Sequence, residues 1–349
     1  MARSASEAHV TLALFVRNVW ANVAPAVVAA VFVWLFLRSL RKPLWAEAYR
    51  RLRRSKLVVT AMLTLSLYGG VVFLDSVSWQ GSTLEEPKTM VDRLFDRPFE
   101  KTYSEPLATH TVGELTPHPL LGMHVFGTDS VGKDVFYKVL KGFRTAFVIG
   151  GLACLVAVPI AITLGLSAGY FGGVLDDIVQ YVYTVFGSIP DILLIIALVL
   201  MLGRGLSSIC LAMGLSSWIG LCRLIRGETL KHRDREYVRG ARALGAGPFR
   251  ILAVHILPNL MPAIIISVTL LFSSLALYET VLAYLGVGVG SSAGSWGNMI
   301  DSARDELTRD PSVWWNLVFA SGALLVMVLS LNVLADALRD AIDPRLRTE

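Results

Sequence analysis

EYVRGARALGAGPFRILAVHILPN, residues 236–259, lies between stretches apolar enough to cross a bilayer and is itself crowded with charge. From Arg223 to Arg250 the chain carries eight Lys/Arg and three Asp/Glu. A helical hairpin needs only a few connecting residues, so an insert this long and basic points to a surface read by something outside the bilayer. Its local pattern is two short helices set around a glycine. Residues 236–244 make the first, with Tyr237, Ala241 and Leu244 on one face and Glu236, Arg239 and Arg242 off it. Gly245 ends it, because glycine enters the left-handed conformation without a Cβ penalty. Pro248 suits the first turn of the second helix, 249–257, and Pro258 marks the return to the membrane. The plainer reading is a basic loop held against anionic lipid.

The flanks set the class. Of 349 residues 54% are hydrophobic, and the mean hydropathy is +0.59, far above an ordinary water-soluble domain. Residues 145–175, 205–222, 259–278 and 311–335 contain no charge. About 20 apolar residues span a bilayer core, so the chain is an all-α polytopic membrane protein. The spans fall at about 18–37, 57–79, 145–169, 178–203, 206–223, 260–285 and 313–335, which is about seven transmembrane helices. Pro159 and Pro190 inside spans are expected to kink them. Residues 134–144 have the pattern of an amphipathic helix lying at the interface.

Charge sets the orientation. Residues 38–56 hold eight Lys/Arg against Glu47 alone, whereas 80–140 hold nine Asp/Glu against six Lys/Arg. The first segment is expected inside and the second outside. Alternation then puts 223–259 and the C-terminus in the cytoplasm and the N-terminus outside. The chain divides into an N-terminal helix with its basic segment (1–56), a span (57–79), an extracytoplasmic loop (80–140) and a core domain (141–349) containing the basic insert at 224–259. The net charge of +5 follows from residues beside spans, a placement that fits membrane lipid and not nucleic acid.

Several tempting motifs fail on chemistry. Residues 127–133, GTDSVGK, follow most of a phosphate-binding loop, but the hydroxyl position that serves magnesium is Asp134. His110, His118 and His124 have no compact metal-ligand spacing, and Cys154, Cys210 and Cys222 have no paired spacing. No catalytic, metal or cofactor site is expected. Asp191 and Glu279 lie deepest in the apolar spans, and charge at such depth usually faces protein or a water-filled cavity. Each either lines a path, together with the kink at Pro190, or meets a partner, or makes a polar contact within the bundle.

The insert is similar to the cytoplasmic EAA loop of ABC-importer permeases, in particular those of the dipeptide, oligopeptide and nickel class. The resemblance rests on Glu-Tyr-Val at 236–238, Ala-Arg-Ala-Leu-Gly at 241–245 and His-Ile-Leu-Pro-Asn at 255–259. Where the general pattern has Glu-Ala-Ala ahead of the glycine, this chain has Arg239-Gly240-Ala241, so the last position alone agrees. HVFGTDSVGKDVFYKVLKGFRTAFVIG (124–150), GSIPDILLIIALVL (187–200), LGVGVGSSAGSWGNMI (285–300) and ALRDAIDPRLR (337–347) resemble further family segments in the same order. The resemblance implies a six-helix permease core, here with one extra N-terminal helix, in a bacterial inner membrane. It implies a second permease subunit, two cytoplasmic ATPases carrying ATP and magnesium, and an extracytoplasmic solute-binding protein. It makes Glu236, Tyr237, Arg239, Ala241, Arg242, Leu244, Gly245 and Pro258 the ATPase-coupling residues. The competing class is an ion-coupled secondary transporter or channel, which paired broken helices or inverted repeats would favour.

Overall fold

The computed structural model describes residues 18, 22–23, 25–31, 34, 37–38, 41, 43–80, 87–95, 99–112, 118–203, 205–290 and 294–342. The first expected span, 18–37, lies partly outside the described residues, and those described within it are helical. Helix α1 is Pro43–Leu52 and α2 is Lys56–Ser76. A two-stranded antiparallel ribbon follows, β1 (Ser78–Trp79) with β2 (Lys88–Thr89), and leads into the short α3, Met90–Phe95. Among the described residues five helices are long and apolar enough to cross a membrane, or six if one bent pair counts as a span. The fold is polytopic and helical.

Helix α4, Val135–Phe171, runs 37 residues, so 134–144 is not a separate interfacial helix. Asp134 starts it: its Oδ1 accepts the N–H groups of Phe136 at 2.7 Å and Tyr137 at 3.3 Å. Pro159 lies inside the continuous helix, where the Thr163 hydroxyl donates to the Pro159 carbonyl at 2.8 Å. At 1.5 Å per residue α4 is about 55 Å long, well beyond a bilayer core of about 30 Å.

Residues 178–203, expected as one span, form two helices. Gly173–Phe186 (α5) and Asp191–Leu202 (α6) meet at 87°. Pro190 lies at the break, as the N-cap of α6. Proline has no N–H to continue α5 and disfavours helical geometry in the residue before it. Conversely, Leu206–Ser216 (α7) and Trp218–Arg233 (α8) run together as Leu206–Arg233, past the expected end at 223. Lys231 and Arg233 lie in the last turn of α8, where cations complement the negative end of the helix dipole.

Helix α9 is Glu236–Ala243. The helix after it, α10, is Pro248–Tyr284 and does not stop at Pro258 to re-enter the membrane. Its stretch Ile251–Ile256 is π-helical, with the Leu257 N–H donating to the Leu252 carbonyl, directly ahead of Pro258, which has no N–H to donate. Helix α11 (Trp296–Glu306) starts at Ser295, whose hydroxyl accepts from Gly297 and Asn298. Helix α12 is Trp315–Ile342.

The chain divides into two compact units, residues 1–147 with 291–326, and residues 148–290 with 327–349. In the first, Phe143 meets Trp296 edge to face and Tyr68 at a tilt, and the Trp296 indole donates to the Val139 carbonyl at 3.0 Å. The second is built by close helix approach. A Cβ at Gly165 would press on Ile225, and one at Gly169 on Thr229. Ala157, Ala161 and Ala168 are fully buried in the same core, the small-residue packing that lets membrane helices meet.

Candidate functional site

The basic insert folds as an object anchored from below. In α9 Val238 is wholly buried and belongs to the core cluster that also contains Ile225 of α8 and Ile251 and Ile256 of α10, the two helices that α9 packs against. Burying that side chain is worth about 1.5–3 kcal/mol, enough to fix the helix against its unit. Three polar contacts hold the flanks. The Tyr237 hydroxyl meets His232 Nδ1 at 2.7 Å, Arg239 Nε donates to the Asp234 carbonyl at 2.9 Å, and the Arg242 guanidinium lies 5.8 Å from the Tyr170 ring centre.

The turn after α9 is a complete Schellman motif. Gly245 has φ +82°. The N–H of Gly245 donates to the Arg242 carbonyl and that of Ala246 to the Ala241 carbonyl, both at 3.0 Å. These two bonds satisfy carbonyls that a helix end leaves open. Gly247 caps α10 and Pro248 takes its first turn.

What this turn presents is unusual. Leu244 is 91% exposed and Phe249 78% exposed, one on each side of Gly245. Glu236, Arg239, Arg242 and Arg250 are exposed around them. Two large apolar side chains are thus left exposed in a segment that is otherwise rich in charge. Sequence reasoning put Leu244 on the face of Tyr237 and Ala241. As the C-cap, with φ −79° and ψ 8°, Leu244 has already left the helix. It did not single out Val238, Phe249 or the exposed Val254. The available signal was Phe249 directly after Pro248, since a first-turn side chain projects beyond the packed part of its helix.

Glu236 to Gly245 thus form one element, while Pro258 lies exposed further along α10. The deep acidic residues separate by environment. Asp191 is exposed at the start of α6 and accepts the Tyr278 hydroxyl at 3.1 Å, whereas Glu279 is buried.

The phosphate-loop-like turn is occupied by its own side chain. Asp129 Oδ1 accepts the N–H groups of Val131 at 3.0 Å and Lys133 at 2.9 Å, and Lys138 pairs with Oδ2 at 2.9 Å. The amides that would cradle a phosphate are therefore spent on a carboxylate. Gly132 is required there because a Cβ would collide with the Glu100 carbonyl.

His124 is not an ordinary loop histidine. It is 1% exposed, with Nδ1 2.8 Å from Asp134 and Nε2 3.2 Å from Glu100, and so ties the start of α4 to the preceding loop. Among the described residues no group of three or more His, Cys, Asp or Glu is arranged to hold a metal.

Comparison with known proteins sets this geometry in context. Residues 161–348 match the family model described as binding-protein-dependent transport system inner membrane component. The chain is 36% identical over 224 residues to the oligopeptide transport system permease protein OppC of Bacillus subtilis (strain 168), covering 64% of this chain and 72% of that protein. It is 31% identical over 311 residues to the glutathione transport system permease protein GsiD of Pectobacterium atrosepticum, covering 89% and 94%. A solved inward-facing structure of the MetNI methionine ABC transporter matches 58% of this chain and 94% of its own, at 18% identity and TM-score 0.46.

Proposed function

The chain belongs to the family of binding-protein-dependent transport system inner membrane components, and from that membership we propose that it is one of two membrane subunits of an ATP-driven importer for peptides or similar polar solutes. The observation that carries the reading is the α9–Gly245–α10 element, with Leu244 and Phe249 exposed beside Gly245 and Val238 locked in the core. A rigid element tipped with apolar side chains is what a moving ATPase subunit can grip and push.

In this reading a second permease completes the pore, two ATPases bind ATP and magnesium and dock on the inserts, and a solute-binding protein delivers cargo from outside. The charge asymmetry supports placing 38–56, 224–259 and the C-terminus in the cytoplasm and the N-terminus outside. ATP binding and loaded binding protein each favour one state of a two-state bundle. Force on α9 passes through Val238 into α8 and α10. Asp191, at the Pro190 break and bonded to Tyr278, and Glu279 on the next residue of α10 are the acidic groups nearest the path.

The oligopeptide and glutathione relatives support a peptide-like cargo. An ion-coupled carrier is less well supported, because one broken pair, α5 with α6, is present among the described residues where that class uses two. Reconstitution with the partner permease, both ATPases and the binding protein tests the proposal. Labelled dipeptide or oligopeptide should accumulate in vesicles with ATP and fail to accumulate with a non-hydrolysable analogue. Uptake driven by an ion gradient without ATP would favour the carrier.

A further inference from the structure

The ribbon β1–β2 has an open edge, and two carboxamides of the N-terminal helix are bonded along it. Along a strand, backbone groups point alternately to opposite edges. Here the Val77 carbonyl accepts from Met90 on the β2 side, and Ser78 and Gln80 present their N–H and C=O groups to the other side. Asn22 Nδ2 donates to the Ser78 carbonyl at 2.7 Å, and the Ser78 N–H donates back to Asn22 Oδ1 at 2.9 Å. Asn18 repeats the pattern on Gln80, at 3.0 Å and 2.9 Å. Each side-chain amide supplies one donor and one acceptor, as a neighbouring strand's backbone would.

The spacings explain the match. Four residues along an α-helix rise about 6 Å, and two residues along a strand advance about 6.6 Å. Asparagines one turn apart therefore meet alternate strand residues, with helix and strand running in opposite directions. The second Asn22 proton donates to the Asn18 carbonyl at 2.8 Å, which fixes the rotamer. Asn18 and Gln80 are both buried, so the bonds are shielded from competing water.

We propose that the open edge of β1 is a docking surface whose partner is this chain's own N-terminal helix, with Asn18 and Asn22 as its positioning residues. The helix thereby stands in for a third strand and covers an edge that otherwise invites pairing with another chain. It also holds the start of the 80–140 segment, because the ribbon leads straight into α3. This gives a role to the extra helix that does not depend on the transport reading.

Hydrogen exchange on the purified full-length chain in nanodiscs tests it, read at the amides of Ser78 and Gln80. The double variant Asn18→Ala/Asn22→Ala should speed both by about fivefold, the loss of one net hydrogen bond at each. Asn18→Asp keeps the acceptor for the Gln80 N–H but sets a carboxylate against the Gln80 carbonyl. It should loosen Gln80 more than Ser78 and leave α10 protected. Val28→Ala, on an exposed position of the same helix, should change neither amide. Unchanged exchange in the double variant would overturn the proposal. So would an Asn18→Asp response spread evenly over α2 and α10, which would make the asparagine part of general packing.

Discussion

At φ +82° Gly245 sits where an L side chain is strained, yet no atom lies within 4 Å of where its Cβ would go. Substitution there acts through backbone strain and not through a clash. Alanine should cost about 1 kcal/mol in this left-handed conformation, and valine, with its branched Cβ, about 2 kcal/mol. Relaxing that strain rotates the Schellman turn and re-aims Leu244 and Phe249, while Val238 keeps the element attached. Gly245→Val should therefore reach the membrane at normal levels but lose ATPase association and substrate-stimulated hydrolysis by at least tenfold, with Gly245→Ala between it and wild type. Co-purification and hydrolysis assays on the reconstituted complex measure both. Wild-type values for Gly245→Val would remove the coupling role from this turn.

At the scale of elements, two acids of the first unit, Asp92 in α3 and Glu306 at the end of α11, have opposite pH dependence. Burial works against ionisation of Asp92, but the Lys141 ammonium, the Thr89 N–H and the Tyr137 hydroxyl outweigh it and bring the carboxyl down from 3.8 to about 2. Lys141 also pairs with the buried Asp75 at 2.6 Å. A depressed acid adds stability above its unfolded value and loses it as pH falls through its folded one. Asp92 should thus contribute about 1–2 kcal/mol above pH 4, lost between about pH 4 and 2. Glu306 is the reverse case. Burial foremost pushes it above 4.5, despite two bonds from Asn316 Nδ2 at 2.9 and 2.8 Å. Its contribution is full below pH 4.5 and fades as pH rises through the raised value. Glu306→Gln removes a buried charge while one oxygen still accepts from Asn316 Nδ2, so it should change stability at pH 7 by no more than about 1 kcal/mol. Asp92→Asn should flatten the acid limb. Melting followed by fluorescence of Trp296 and Trp315, both buried in the same unit, checks each; an acid limb unchanged in Asp92→Asn would refute the assignment.

The same scale shows where sequence was informative. The α9 boundaries and the Gly245 turn were legible because glycine and proline act on their own backbone. Val238 was not, because its importance comes from a core cluster drawn from separate helices, which only the fold brings together. A kink at Pro190 was legible, but hydropathy that continues across it hid that the bend is an 87° break between two helices, α5 and α6. His124 was passed over because its carboxylate partners lie 24 and 10 residues away.

For the whole molecule, orientation follows from the basic segments. Single cysteines replacing Ser55 and Ser82, in a background without Cys154, Cys210 and Cys222, should react oppositely with an impermeant reagent on intact cells. Ser82→Cys should label and Ser55→Cys should not; the reverse pattern would invert the topology and put the insert on the wrong side for an ATPase. The central claim is that a family permease transmits force through an apolar tip held to the core by Val238 and by the contacts of Tyr237, Arg239 and Arg242. The most direct measurement is the amount of ATPase recovered per permease when the wild-type chain and Leu244→Asp/Phe249→Asp are purified from cells making all subunits. A charge on each exposed tip residue leaves the fold untouched but opposes burial at an interface, so recovery should fall by tenfold or more. Equal recovery from both chains would contradict the account.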